Sequence, residues 1–297
     1  SAAVALDADH FVVGNDEDAV LRVYRRGRAA PIGPGLDLAS FLGVSPGDEV
    51  DIEAAALVGR RIYWISSHAR DGKGRKEDSR RRFFATDIVD GTNGQAPQLR
   101  PVGTAYSGLL QAIEMAPALR PYKLQKAARR AAEAKDGFNI EGLAATPDGR
   151  LLIGLRNPLP KQRALLVPLL NPAAVVGGEA AAELGAASEI DLGRRGVRSI
   201  ELTGSSYLVV AGPPGDDGSF MLFRWSARAG DAPQPVAGVD LQDLRPEALF
   251  VIPGGAHVQL LSDDGGVTAA NGKECKKLPP SQQTFRSLTL PLLPDAR

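Results

Sequence analysis

A single cysteine, Cys275, is all that the 297 residues contain. That excludes an intramolecular disulfide and any multi-cysteine zinc or iron–sulfur site, and it leaves a free thiol as the expectation. A surplus of charge is missing too, with 35 Lys+Arg against 35 Asp+Glu. Binding to nucleic acid draws on a positive excess that neutralises phosphates, so nucleic acid is not an expected partner. No apolar run approaches the roughly 20 residues of a membrane-spanning helix, and a membrane is not expected either. A secretory leader is not visible. The chain starts at Ser1 inside an apolar segment, as expected if an upstream stretch has been removed; this fits a soluble monomer that is either cytoplasmic or periplasmic and secreted.

What the chain does have is turn formers, 33 glycines and 22 prolines, between short apolar segments. That is the pattern of many short strands. The exception is 107–135, where SGLLQAIEMAPAL and KLQKAARRAAEAK read as two helical stretches separated by Pro117 and Pro121.

The strands repeat. DIEAAALVGRRIYWISSH (51–68), NIEGLAATPDGRLLIGLRNP (139–158), SIELTGSSYLVVAGPP (199–214) and RPEALFVIPGGAHVQLLSDD (245–264) each carry a Glu, a strand, a turn, a second strand and a polar loop. SAAVALDADHFVVGNDED (1–18) is a fifth copy without the Glu. A third strand follows at 19–25, 82–88, 164–170 and 220–226, and weaker fourth strands lie at 98–104, 187–192 and 234–239. Four-stranded units repeated around an axis make a β-propeller. The expectation is one all-β domain over 1–297, with five blades (six is the alternative count), a helical insertion near 107–135, and an outer strand at 285–293 that helps close the ring. A β-sandwich with irregular repeats is the competing fold.

Propeller topology brings the start of each innermost strand and the end of the second strand to one mouth of the channel. Glu53, Glu141, Glu201 and Glu247 are therefore expected to converge, with His68, Arg156, Asp263, Asp216 and Asp217 on the same face. Carboxylates gathered on one axis repel and need compensation. A divalent cation such as calcium, bound by the four glutamates, is one solution, and arginines (Arg156, Arg198, Arg245) are another. The first makes the mouth a cation-assisted hydrolase of an ester, lactone or phosphoester, with His68 as acid or base, Arg156 as oxyanion clamp and Asp263 as ligand or base. The second makes it a non-catalytic propeller that binds a small anion or a protein. The loop ARDGKGRKEDSRRR (69–82) has seven basic and three acidic residues and follows His68 directly, so Arg70, Lys73 and Arg75 are candidate contacts for a phosphate or carboxylate. No G-x-S-x-G elbow accompanies Ser66 and Ser67.

SAAVALDADHFVVGNDEDAVLRVYRR, the 51–88 segment, NIEGLAATPDGRLLIGLRNPLP, RSIE, RPEALFV and LLSDDG together resemble the bacterial family catalogued as domain of unknown function 3616. The I-E-G-L-A-x-x-P-D-G-x-L-L-I-G phrase is also similar to the phytase-like (esterase-like) propellers. The resemblance implies a propeller with no established activity, and the phytase-like phrase implies a metal-assisted hydrolase.

Overall fold

The structure is a computed structural model that describes residues 1–92, 94–215, 218–279 and 282–292. Asp216 and Asp217, and the last residue of the expected 285–293 strand, lie outside the described residues.

Five antiparallel sheets follow one another along the chain. The first comprises β1 (Ala2–Ala5), β2 (His10–Gly14), β3 (Val20–Arg25) and β4 (Leu36–Asp37). The second comprises β5 (Ile52–Val58), β6 (Arg61–Ser66), β7 (Phe83–Val89) and β8 (Gln98–Tyr106). Next come β9 (Asn139–Ala145), β10 (Leu151–Asn157), β11 (Ala164–Leu169) and β12 (Ser188–Ile190), then β13 (Gly196–Thr203), β14 (Ser206–Gly212), β15 (Met221–Trp225) and β16 (Gln234–Pro235). The last sheet has three strands among the described residues, β17 (Pro246–Val251), β18 (His257–Ser262) and β19 (Ser287–Pro291). Each innermost strand packs on the next, β1 on β5, β5 on β9, β9 on β13 and β13 on β17, and β17 returns to β1. The fold is a closed five-bladed β-propeller.

The strand pattern explains the packing. Successive side chains on a strand point to opposite faces, and a propeller blade is covered on both. In β6, Ile62 and Trp64 face blade 1 while Tyr63 and Ile65 face blade 3. In β14, Tyr207 and Val209 face blade 3 while Leu208 and Val210 face blade 5. Five apolar clusters result, one at each blade interface. Full burial of one such side chain is worth about 1.5–3 kcal/mol, so every interface is a substantial fraction of the net stability.

The helical insertion is where sequence and structure part. Its first half forms α2 (Leu109–Met115) and a 3₁₀ turn at Pro117–Tyr122, but the Ala-rich second half is helical only over α3 (Leu124–Ala127). Beyond it, side chains capture the carbonyls that a helix would use: Arg70 Nε donates to Ala128 O and Asn157 Nδ2 to Ala132 O. Two further short helices, α1 (Ala39–Leu42) and α4 (Pro172–Gly177), were not expected from the sequence. No helix among the described residues is long and apolar enough to cross a membrane.

Candidate functional site

A β-bulge inserts one residue that opposes no partner, and it re-aims that side chain. Four innermost strands carry one near their start. The pairing skips Glu53 in β5, Glu141 in β9, Arg198 in β13 and Glu247 in β17. In blade 1, Ser1 immediately precedes the first paired residue, Ala2. These five positions form the ring at the channel mouth.

The bulge in blade 4 corrects the sequence alignment. The repeated Glu had been matched to Glu201, but the equivalent residue is Arg198, three positions earlier. Glu201 sits deeper in β13, opposite Leu208, and accepts the Val251 N–H at 3.3 Å from the neighbouring blade. Burial pushes its carboxyl up to about 7, eased by that N–H. Glu201 is thus removed from the expected cation-binding set.

The ring is a network of ion pairs. Arg198 Nε lies 2.7 Å from Glu141 Oε2, and its Nη2 donates to Glu247 Oε1 at 2.7 Å. Arg156 Nη1 donates to Glu141 Oε1 at 2.9 Å, and Asn139 Nδ2 adds a bond to the same oxygen at 3.0 Å. The Ser1 nitrogen is 2.7 Å from Glu53 Oε2 and 2.8 Å from Glu247 Oε2. Burial opposes ionisation of Glu247, yet the neighbouring positive charge, Arg198 included, lowers its carboxyl. Glu53 goes the other way. Burial, with Asp51, Glu141 and Glu247 nearby, raises it well above the usual carboxylate range against the pull of Ser1. Asp263 is on the same mouth, raised by burial and then by Glu247, and its Oδ1 accepts the Gly265 N–H at 2.8 Å. Glu53, Glu141, Glu247, Arg156 and Asp263 therefore come together as expected.

His68 does not join them as an acid or base. It is 1% exposed, its N–H donates to Arg80 O, and its Nδ1 donates to Ser66 O at 2.8 Å. Burial, with Arg81 and Arg82 adding to it, pushes the ring down to about 4, so it is neutral at pH 7. Both His68 (φ 56°) and nearby Asp51 (φ 58°) hold left-handed backbone, a conformation uncommon outside glycine that Asp and His enter more readily than most residues. Asp51 accepts from the Ser67 hydroxyl and faces Arg80 Nη1 at 3.3 Å; burial still raises its carboxyl to about 6. The sequence reading did not single out Asp51, and it offered Arg198 as a cation pairing with the ring while giving the ring position of blade 4 to Glu201. Bulge register is the missing signal in the second case.

A calcium ion takes six to eight oxygens. The carboxylates here fit poorly, because both oxygens of Glu141 and one of Glu247 already face guanidinium groups. Among the described residues no group of three or more His, Cys, Asp or Glu side chains is placed to hold a metal ion.

Beside the mouth, the 69–82 loop and the helical insertion enclose a cleft of about 610 Å³. Arg70 lines it, whereas Lys73 and Arg75 stand exposed outside it. The Arg75 guanidinium is committed to Asp71 at 2.6 Å. The cleft instead draws its other cations from Lys76, Arg81, Arg82 and Arg129.

The sequence also carries a decisive mark of kinship. The model of the family described as "Protein of unknown function (DUF3616)" matches residues 92–258, more than half of the chain. The chain belongs to this family. The match spans β9, β10 and β13, so the bulges at Glu141 and Arg198 lie within the DUF3616 region. No match to a curated protein was found. Solved structures similar to the DUF3616 chain include a PQQ-bound aldose sugar dehydrogenase from Streptomyces coelicolor, at 14% identity and TM-score 0.45, covering 97% of this chain and 93% of that one. Glutaminyl cyclase from Myxococcus xanthus is similar at 13% identity and TM-score 0.41, covering 88% and 84%. The β-propeller domain of Myceliophteria thermophila Cps50 (Swd1) is similar at 11% identity and TM-score 0.37, covering 86% and 91%. At these values no chemistry passes from them to the DUF3616 chain.

Proposed function

We propose that this chain is a non-catalytic ligand-binding propeller, whose central ring is a charge clasp and whose basic-loop side of the mouth contacts a small anion. The observation that carries this reading is Arg198, which bridges Glu141 and Glu247 from the two blades that flank its own. A catalytic or metal-binding carboxylate needs free lone pairs. In this ring both Glu141 oxygens and Glu247 Oε1 face guanidinium groups, and the neutral, sealed His68 offers no proton at the mouth. The cation-assisted hydrolase suggested by the phytase-like phrase would need that same ring to be open.

The test has two arms. The purified chain is assayed against esters, lactones and phosphoesters with and without calcium, and calcium uptake is followed by equilibrium dialysis. We expect no turnover above background and no stoichiometric calcium. Turnover that disappears in Glu141→Gln would overturn the reading. In the second arm, thermal shift at low ionic strength is expected to show stabilisation by small anions that fades with added salt.

A further inference from the structure

The cleft between the 69–82 loop and the insertion is built from two unlike walls. On the loop side, the cations divide into those that hold the architecture and those that do not. Arg82 donates from Nε to Leu42 O at 2.7 Å and from Nη1 to Asp78 O at 2.6 Å. Arg70 ties the walls together, donating to Ala128 O at 3.1 Å and Gly74 O at 2.9 Å. Arg81 is different. Its side chain is 17% exposed, its nearest carboxylate oxygen, on Asp78, is 3.7 Å away, and its buried Nε has no hydrogen-bond partner. With no close carboxylate on it, the Arg81 guanidinium lines the cleft as a cation, and arginine forks match carboxylate and phosphate oxygens.

The facing wall comes from the insertion. Arg129 stands exposed there, and Gln111, Gln125 and Glu114 line the same space. Amides both donate and accept, and a carboxylate accepts; together they match hydroxyl groups. The volume of about 610 Å³ is that of a small-molecule site, and the charged walls disfavour an apolar ligand.

We propose that this cleft binds a small anionic sugar, its carboxylate or phosphate held by Arg81 and Arg129 and its hydroxyls by Gln111, Gln125 and Glu114. The proposal deepens the ligand-binding reading above and rests on it. It assigns the contact to Arg81 and Arg129 rather than to Lys73 and Arg75.

Titration calorimetry of the full chain tests it, with glucuronate and glucose 6-phosphate as the two anionic arms and glucose and inorganic phosphate as controls. At least one anionic sugar is expected to bind saturably, at least tenfold tighter than either control. Which arm binds tells a carboxylate from a phosphate. Arg129→Gln removes an exposed side chain and is expected to weaken binding at least tenfold, equal to about 1.4 kcal/mol, with an unchanged melting temperature. Gln125→Ala should weaken it severalfold while preserving the fold. Failure of both sugars to bind the wild-type chain at millimolar concentration overturns the proposal. So does inorganic phosphate binding as tightly as glucose 6-phosphate. Undiminished sugar binding in both variants overturns this placement but leaves the anion-binding reading standing, whereas ring-dependent turnover sinks that reading independently.

Discussion

Arg198 is 7% exposed at its side chain and serves two carboxylates, one of which, Glu141, is 3% exposed. Removing one member of a buried ion network strands the others, a loss of about 3–5 kcal/mol. Arg198→Met is therefore expected to lower stability by that order in urea denaturation. Pairing it with Glu247→Gln and Glu141→Gln should recover part of the loss; full additivity would show that the three do not act together. Glu201 gives a pH prediction of the opposite sign. Its folded carboxyl titrates at about 7, above the unfolded value. The stability it contributes is thus fully present below about pH 4.5 and lost as pH rises through 7. Glu201→Gln should be more stable than wild type at pH 8 by about 3 kcal/mol, with the difference vanishing near pH 4; equal pH profiles would contradict this. At this scale three of the four expected glutamates were legible, because strand, turn and Glu recur in phase. Glu201 was misassigned because the ring position of blade 4 holds an arginine, and the nearest Glu in sequence lies three residues further along β13. His68 was misjudged because its place at a strand end says nothing of the loop that seals it.

The elements carry a second layer of the same lesson. Most strands were readable: the expected third strands at 82–88 and 164–170 are β7 and β11, and the weak fourth strand at 98–104 is β8, whereas β4 was not expected and the strand expected at 234–239 is only Gln234–Pro235. The signal for β7 and β11 is a near-continuous apolar run, as expected of a strand buried on both faces. The Ala-rich 123–135 stretch had the stronger intrinsic preference and still failed as a helix beyond Ala127. Propensity is a weak prior once tertiary partners claim the backbone. Asn157 is one such partner, reaching Ala132 O at 2.6 Å and Ala134 O at 3.2 Å. Asn157→Ala is expected to cost about 1–2 kcal/mol and to speed amide exchange selectively across 130–137. Uniform exchange over the whole insertion would show that Asn157 does not pin this segment. Because the insertion forms one wall of the cleft, the same change should loosen anion binding while leaving the ring intact.

At the scale of the molecule, the seam between the last blade and the first decides whether the ring behaves as one unit. Phe11 of blade 1 stacks on Phe250 of blade 5 at 5.7 Å between centroids, and Arg26 lies over both rings at 5.8 and 5.9 Å. Arg26 Nε also donates to Gln259 Oε1 across the seam at 3.0 Å. Tyr24 and Phe285 complete the cluster edge-on at 5.3 Å. None of these pairings was visible from sequence, because residues so far apart along the chain meet only through closure. Phe250→Ala should leave a cavity here and cost about 3–5 kcal/mol. A chain of blades that contact only their neighbours can open at a weak interface, as linear repeat arrays do. A closed ring resists that, since opening the seam exposes two blade faces together while β1 still packs on β5 and β13 on β17. The expected outcome is one cooperative transition for Phe250→Ala, shifted to lower denaturant with an unchanged slope and coincident by fluorescence and far-UV circular dichroism. A second, earlier transition in the variant would show that the seam opens on its own and that the ring is held by four interfaces rather than five.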